Sequence, residues 1–320
     1  MEPTEPTQPM DSTPAPEPEP PAAPPVAWGP PTQEPPPPAS GPALGELFAN
    51  RSAASLTLGD AFSTGFGLLG RVSFIVPVLI LGVAVNAIAA TLLQPFIDKV
   101  DLAATSPGSI TPADISAVLS SILGAIALSI VGAILVNVYG QVWAVTASSG
   151  PVPTISTTIG LASRRWIGIV GVGLVVGVLT FALSIGAFIV VGLAFALVGI
   201  FGILAFLAAL VLIVWVGSRL SMAGWLAAEG HSVSASINGS WAMTRGNLLR
   251  IIGWGLAYGI VFGLIGGVLG LLLGLVPYVG SGIAQSISLG LGYGAGITLY
   301  RRTQAAAAAA APQPATGVAT

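Results

Sequence analysis

The chain has 320 residues, of which 54% are hydrophobic and only 7% charged, and its formal net charge is −2. Soluble domains carry about a quarter charged residues, so this chain has too little charge to cover a surface that faces water. The near-neutral balance gives no electrostatic basis for binding nucleic acid. The absence of cysteine excludes disulfides, thiolate nucleophiles and sulfur-ligated metals.

Residues 1–45 are predicted to form a disordered, proline-rich tail. Of the 26 prolines, 17 lie between residues 1 and 42. Such a segment cannot bury enough apolar surface to offset its ordering entropy, and it favours a local polyproline II conformation. We interpret the tail as a solvated spacer, with a docking ligand for an aromatic groove as the alternative.

Long apolar runs follow, and they predict an all-α, polytopic membrane protein. A helix needs about 20 apolar residues to cross a hydrocarbon core of about 30 Å. The run from 167 to 216 has no charged residue, and its length predicts two helices with a turn near 190–192. Residues 46–302 are thus expected to form a six-helix transmembrane domain, and residues 303–320 a disordered Ala/Pro-rich tail. The predicted spans are 73–93, 115–145, the two halves of 167–216, 251–276 and 281–300.

The placement of basic residues predicts the orientation. Arginine and lysine concentrate in cytoplasmic loops near the ends of transmembrane helices. With six spans and the N-terminus inside, no outer loop contains an arginine, and Lys99 is the only basic residue in the outer loops. Both termini are therefore predicted to be on the cytoplasmic side of the plasma membrane. Nine arginines against one lysine, with abundant alanine and glycine, are typical of a high-GC bacterial genome. The inner arginines are Arg51, Arg71, Arg164, Arg165, Arg219, Arg245, Arg250, Arg301 and Arg302.

Three inner segments share a pattern just before spans one, three and five. Apolar residues recur every four positions and an arginine follows, which predicts an amphipathic helix lying in the headgroup plane. Thr57 and Asp60 also fit a capping box at the start of the first segment. The chain is therefore expected to contain three units, each an interfacial helix followed by a transmembrane hairpin. The apolar positions are Leu58, Phe62 and Phe66, then Ile155 and Ile159, then Val233, Ile237 and Trp241.

Small residues form ribbons inside three predicted spans. In lipid, close backbone approach through small residues supplies packing energy between helices. The ribbons predict tight contact between the fifth and sixth spans, with a homo-oligomer interface as the alternative. They consist of Gly255, Gly259, Gly263 and Gly267 in the fifth span, Gly282, Ser286, Gly290 and Gly294 in the sixth, and Gly173 and Gly177 in the third.

The spans contain no charged residue that would mark a functional site. Asn86 and Gln285 lie at similar predicted depths and are expected to bond across helices. Asn137 and Gln141 are also expected to form hydrogen bonds between helices, and the alternative is that they bind a substrate.

The sequence predicts no catalytic, cofactor-binding or metal-binding residue. His231 is the only histidine, and its neighbour Glu229 is expected to pair with Arg219 or Arg245 rather than to form a general-base pair with the imidazole. Ser281 lies between two glycines, but no histidine within a span could activate it. Asp98, Asp101 and Asp114 are interpreted as a solvated outer loop.

Region 216–253 contains a series of spaced residues, and a second short segment precedes the first span. The residues are Arg219, Glu229, Gly230, Ser240, Trp241, Thr244, Arg245, Gly246 and Arg250, together with Leu58 to Phe62 and Arg71. In these residues, about a quarter of the chain resembles the membrane domain fused to glycerophosphodiester phosphodiesterases in some bacteria and found alone in actinobacteria. In fused members the hydrolase is a separate metal-binding barrel, so the resemblance implies a membrane domain without catalytic residues.

The sequence thus favours a non-catalytic membrane domain that acts as a scaffold, an accessory subunit or a lipid-associated protein. The expected partners are membrane lipids and a membrane protein. A transporter or channel for an uncharged or lipidic solute is the alternative, and an intramembrane hydrolase is the least supported class.

Overall fold

A computed structural model describes residues 57–105, 111–276 and 279–310 of the chain. Within these ranges the protein is helical and contains no strand, as the sequence predicts. The proline-rich tail predicted for residues 1–45 lies outside the described residues. The helices are α1 (Leu58–Leu69), α2 (Val72–Thr105), α3 (Pro112–Ser149), α4 (Ile155–Leu197), α5 (Gly199–Leu220), α6 (Ala223–Glu229), α7 (Val233–Thr244), α8 (Leu248–Leu273) and α9 (Gly280–Ala310).

Five stretches among the described residues are long and apolar enough to cross a membrane, and they make this a multi-pass membrane protein. Four of them lie within α2, α3, α4 and α8. The fifth runs from Gly199 to Glu229 and includes α5 and α6. The predicted sixth span falls in α9, which is 31 residues long but rich in glycine and serine. Much of α9 packs against other helices of the chain, so it has less need of an apolar surface toward lipid. The count of six remains a prediction.

The turn predicted near 190–192 is wrong, because α4 continues without interruption to Leu197. The break falls at Val198, whose backbone is extended (φ −151°, ψ 116°). No proline or charge interrupts the apolar run, so composition alone does not fix the turn. Packing contributes to its position: a side chain at Gly202 would overlap the ring of Phe195, which lies against that glycine from the other side of the break.

The interfacial helices are present before the first and fifth predicted spans, as α1 and α7, but the second is continuous with its span. Residues 155–165 form the start of α4, which at 43 residues is about 64 Å long. The capping box of α1 is confirmed, since Thr57 and Asp60 each accept a hydrogen bond from the other's backbone N–H. The repetition of the three units remains a prediction.

In α1 and at the start of α4, small or polar positions are buried while apolar positions such as Phe66 and Ile159 are exposed, whereas in α7 Val233 and Ile237 pack against the core. Thr64 in α1, Thr158 in α4 and Ser236 in α7 are buried. Phe66 and Ile159, by contrast, are 60% and 55% exposed. The arrangement in α1 and at the start of α4 is the inverse of a soluble amphipathic helix, and it suits an element that lies between a membrane and a closely packed bundle.

The predicted contact between the fifth and sixth spans is present, since α8 packs against α9, but it does not involve the ribbon glycines of α8. The small residues of α9 pack instead against α1 and α2. A Cβ at Gly294 would overlap the backbone of Gly65 in α1, and a Cβ at Gly282 would lie 2.7 Å from the Cα of Val83 in α2. The four ribbon glycines of α8, and Gly173 and Gly177 of α4, have nothing within 4 Å of an added Cβ. Helix α8 meets α9 through a different face, where Gly266 lies against Ser288.

Proline 77 lies inside α2, and residues of α3 compensate for the hydrogen bond that it removes. A proline has no N–H to donate to the carbonyl four residues before it, here that of Ser73. The hydroxyl of Tyr139 donates to this carbonyl. Trp143 Nε1 donates to Ser73 Oγ at 3.1 Å. In lipid an unpaired backbone carbonyl is costly, so these contacts fix the register of α2 against α3.

Helix α9 extends beyond the predicted boundary of the transmembrane domain at residue 302, as far as Ala310. The first part of the expected disordered tail is therefore helical. Alanine has the highest intrinsic helix propensity, which favours continuation through this alanine run.

Leucine at Gly294 is expected to destabilise the protein far more than leucine at Gly263. The first side chain would force α9 away from the backbone of α1, whereas the second would enter open space. Overpacking costs about 1–3 kcal/mol or more, so Gly294→Leu should lower the melting temperature in detergent by several degrees and Gly263→Leu should leave it unchanged. Equal melting temperatures for the two variants would contradict the packing of α9 on α1.

Tyr139→Phe is expected to lower stability by about 1–2 kcal/mol, because it leaves the Ser73 carbonyl without its donor. The same change in a Pro77→Ala background should cost less, since residue 77 then supplies the missing N–H. Melting curves of the four proteins in detergent test this coupling. An identical loss in both backgrounds would show that Tyr139 acts elsewhere.

Candidate functional site

Eight arginines gather at one end of the helix bundle, which we call the arginine end. The end of α3, the end of α6 and the last turns of the span in α9 meet there, through Ser148, Glu229 and Arg301. At the opposite end, the Nζ of Lys99 lies 2.7 Å from the Oδ1 of Asp114. The arginine end comprises Arg71, Arg164, Arg165, Arg219, Arg245, Arg250, Arg301 and Arg302.

The short helix α6 forms the centre of the arginine end, a feature that sequence reasoning missed. Ala223, Leu226, Ala227 and Ala228 are each at most 3% exposed. The helix packs against α3, α4 and α7, and its Trp225 stacks on Tyr300 of α9. Its sequence reads as the continuation of an apolar span, and only the serine at 221 and the glycine at 230 indicate the boundaries.

Glycine 230 ends α6 and directs the chain toward α7. Its φ of 105° lies in the left-handed region, which favours glycine. Its N–H donates to the Ala227 carbonyl, and the N–H of His231 donates to the Leu226 carbonyl. This C-cap places Glu229 at the end of the buried helix.

Glu229 is paired with Arg301, and the predicted pairing with Arg219 or Arg245 is wrong. Arg301 Nη1 lies 2.6 Å from Glu229 Oε1. The two side chains are only 17% and 14% exposed. The sequence could not indicate this contact because 72 residues separate the partners.

The guanidinium of Arg301 also binds α3, so one side chain joins three helices. Its Nε donates to Ser148 Oγ at 2.8 Å and its Nη2 to the Val145 carbonyl at 3.1 Å. Its Nη1 donates to Gln304 Oε1 at 2.8 Å. A charge at a partly buried site requires this degree of hydrogen bonding to offset its desolvation.

His231 lies within ion-pair distance of the same carboxylate. Its Nε2 is 3.7 Å from Glu229 Oε2, beyond hydrogen-bonding distance. The other carboxylate oxygen, Oε1, is already bound by Arg301 Nη1. The geometry therefore favours a structural role for Glu229 over a general-base role.

Two further contacts fasten the arginine end. Arg165 Nη1 donates to the carbonyl of Ala228 at 2.6 Å, which ties α4 to α6. Arg302 Nη2 lies 3.1 Å from Asp60 Oδ2, with side chains 12% and 9% exposed. This second ion pair connects α9 to the capping box of α1.

Arg219 lies between two tryptophans at the end of α5. Its guanidinium carbon is 5.7 Å from the ring centroid of Trp215 and 5.5 Å from that of Trp241. Its Nη1 donates to Thr244 Oγ1 at 3.3 Å. Its carbonyl accepts a hydrogen bond from Ser240 Oγ at 2.6 Å. The structure therefore brings together Arg219, Ser240, Trp241 and Thr244, four of the residues that carry the sequence resemblance.

Three of the four amides predicted inside the spans bond across helices. Asn86 Nδ2 donates to Gln285 Oε1 at 2.9 Å, which confirms the expected pair between α2 and α9. Asn137 Oδ1 accepts from the Tyr293 hydroxyl of α9 at 3.1 Å. Among the described residues Gln141 donates only to Asn137 within α3, and its buried Oε1 has no hydrogen-bond partner, so the prediction fails for this residue.

The remaining sequence candidates lie in helices, and the interpretation of the three outer acids as a loop is wrong. Asp98 and Asp101 belong to α2, which continues to Thr105. Ser281 lies in the first turn of α9, and Asp114 caps the start of α3 and pairs with Lys99. Asp98 accepts a hydrogen bond from Gln94. Across the described ranges, no group of three side chains from His, Cys, Asp and Glu is placed to hold a metal ion.

No protein-family model, curated protein or solved structure matches this chain.

Glu229→Gln is expected to destabilise the protein by about 3 kcal/mol, because it leaves the Arg301 charge at a partly buried site without its partner. The cost should fall at the lower end of the range for buried pairs, since both side chains retain some exposure. Thermal melting in detergent measures the loss.

Two variants serve as controls for this change. Lys99→Gln removes one side of the more exposed ion pair at the opposite end and should cost much less. His231→Ala should also cost less than Glu229→Gln. If His231→Ala were equally damaging, the imidazole rather than Arg301 would be the main partner of the carboxylate.

Proposed function

We propose that the chain is a non-catalytic integral membrane domain that acts as a scaffold, an accessory subunit or a lipid-associated protein of the cytoplasmic membrane. The proposed orientation places the arginine end in the cytoplasm. The observation that carries this proposal is the exposure of the hairpin formed by α4 and α5.

The outer part of this hairpin has little of the protein packed around it. Between Gly173 and Trp215 the only buried residue is Gly202, and the ring against it is that of Phe195 in the same hairpin. Phe188 and Leu197 are 80% and 81% exposed. A helical pair with so much apolar surface presents itself to lipid or to helices of another protein.

A pathway for a solute would need helices around it at the depth of the membrane. The burial pattern supports a scaffold instead, because the packed core lies at the arginine end and includes Trp143, Met222 and Tyr300. The two acidic residues described there, Asp60 and Glu229, are both engaged by arginines of α9. This use of charge supports a structural role.

The open glycine ribbon of α8 supports a protein partner or a second copy of the chain. Nothing lies within 4 Å of a Cβ added at Gly255, Gly259, Gly263 or Gly267. Ribbons of this type allow close approach of another transmembrane helix. The resemblance in region 216–253 supports, as a further proposal, a stand-alone relative of the membrane domain fused to glycerophosphodiester phosphodiesterases.

Gentle affinity purification of the full chain from native membranes, with mass spectrometry of co-purifying proteins and lipids, tests the proposal. We expect a stoichiometric membrane-protein partner or a selectively enriched lipid. The double variant Phe181→Ala with Phe188→Ala should lower the amount of that partner or lipid that co-purifies, because it removes two exposed rings of the hairpin and leaves the core unchanged.

The matched control is Ile80→Ala with Ile88→Ala, which trims two exposed side chains of α2 and should retain the partner. A bare bundle that carries a solute across proteoliposomes would overturn the proposal and establish the transporter alternative.

A further inference from the structure

Arg219 is a partly buried cation for which the described part of the chain supplies no carboxylate. Its partners among the described residues are neutral: the hydroxyl of Thr244, the carbonyl of Trp241 and the two indole rings. Its Nε has almost no accessible surface and no hydrogen-bond partner. The side chain therefore holds its charge with part of its hydrogen-bonding capacity unused.

The nearby acidic residues do not neutralise this charge. Glu229 is held by Arg301 and Asp60 by Arg302, so each described carboxylate of the arginine end has its own guanidinium. Taking a cation out of water without a counter-ion is costly, and cation–π contacts offset only part of that cost. An anion from outside the chain would complete the site.

The surroundings of Arg219 point to the membrane surface as the source of that anion. Trp215 and Trp241 have their rings 5.4 Å apart, and Trp241 is 37% exposed. Tryptophan side chains prefer the headgroup level of a bilayer. Arg245 directly follows Thr244 and is exposed, and among the described residues no ion pair or hydrogen bond of its side chain is found.

We propose that Arg219 and Arg245, with the indoles of Trp215 and Trp241, form a binding site for the phosphate of an anionic phospholipid headgroup. Arg219 contributes the fixed guanidinium between the rings, and Arg245 adds a second, solvent-accessible charge. Guanidinium groups suit this ligand because their N–H groups match phosphate oxygens in pairs. The inference rests on the proposed function, because it requires the arginine end to lie at headgroup level.

Lipid binding to the purified full chain in detergent, measured by native mass spectrometry, tests the site. Phosphatidylglycerol and phosphatidylcholine are titrated separately, and glycerol 1-phosphate is added as a soluble competitor. The wild-type protein should bind phosphatidylglycerol more tightly. Arg219→Gln should weaken phosphatidylglycerol binding about tenfold, the effect of one charge-assisted hydrogen bond, and leave phosphatidylcholine binding unchanged.

Arg164→Gln is the matched control, because Arg164 is an exposed arginine of α4 at the same end of the bundle and the change in charge is identical. Arg164→Gln should leave phosphatidylglycerol binding unchanged. If Arg219→Gln does not melt like the wild type without lipid, Arg245→Gln takes its place, since an exposed residue outside the helices is not needed for folding.

Equal losses in the Arg164 variant and in the variant of the site would overturn the proposal, because they would show attraction to the arginine end as a whole. A wild-type protein without preference for phosphatidylglycerol would overturn it as well. Displacement of the lipid by equimolar glycerol 1-phosphate would identify a soluble phosphate as the ligand. If a protein partner co-purifies from native membranes but the protein shows no preference for phosphatidylglycerol, this lipid site is rejected. The proposed function is then still supported.

Discussion

The bundle depends on α9, and above all on what the end of that helix binds. Arg301 joins α3, α6 and α9 through its hydrogen bonds, and Arg302 connects α9 to α1. Earlier in the same helix, Gly282 and Gly294 allow its backbone to contact α2 and α1. Lipid offers no hydrophobic drive for helices to associate. Close packing through small residues within the spans and ion pairs at the arginine end therefore both stabilise the association of the helices.

This division explains where the protein is dense and where it is open. The buried aromatic core lies around α6, where Trp225 stacks on Tyr300 with centroids 6.2 Å apart. The hairpin of α4 and α5 extends from that core with most of its surface uncovered. Surfaces of this kind are stable only in an apolar surrounding, so the membrane contributes to the structure as a further packing partner.

The sequence predicts the helical class, most of the spans, the capping box of α1 and the Asn86–Gln285 bond, because each follows from local composition or periodicity. The prediction fails for contacts between residues that are far apart in the sequence, because several partners are then possible. The fifth-span glycines show the same spacing as those of α9, yet only the latter meet a neighbouring backbone. Glu229 could have met any of several arginines, and the seven-residue α6 reads as part of a span. Helix rotation and long-range pairing are properties of the whole bundle.

The wide separation of the ion-pair partners along the chain has a consequence for biosynthesis. Asp60 and Arg302 are 242 positions apart, and Glu229 is 72 positions from Arg301. Neither ion pair can therefore form before α9 has been synthesised. A chain cut before α9 would keep the preceding helices but lack both of these contacts, so the arginine end closes only when α9 docks.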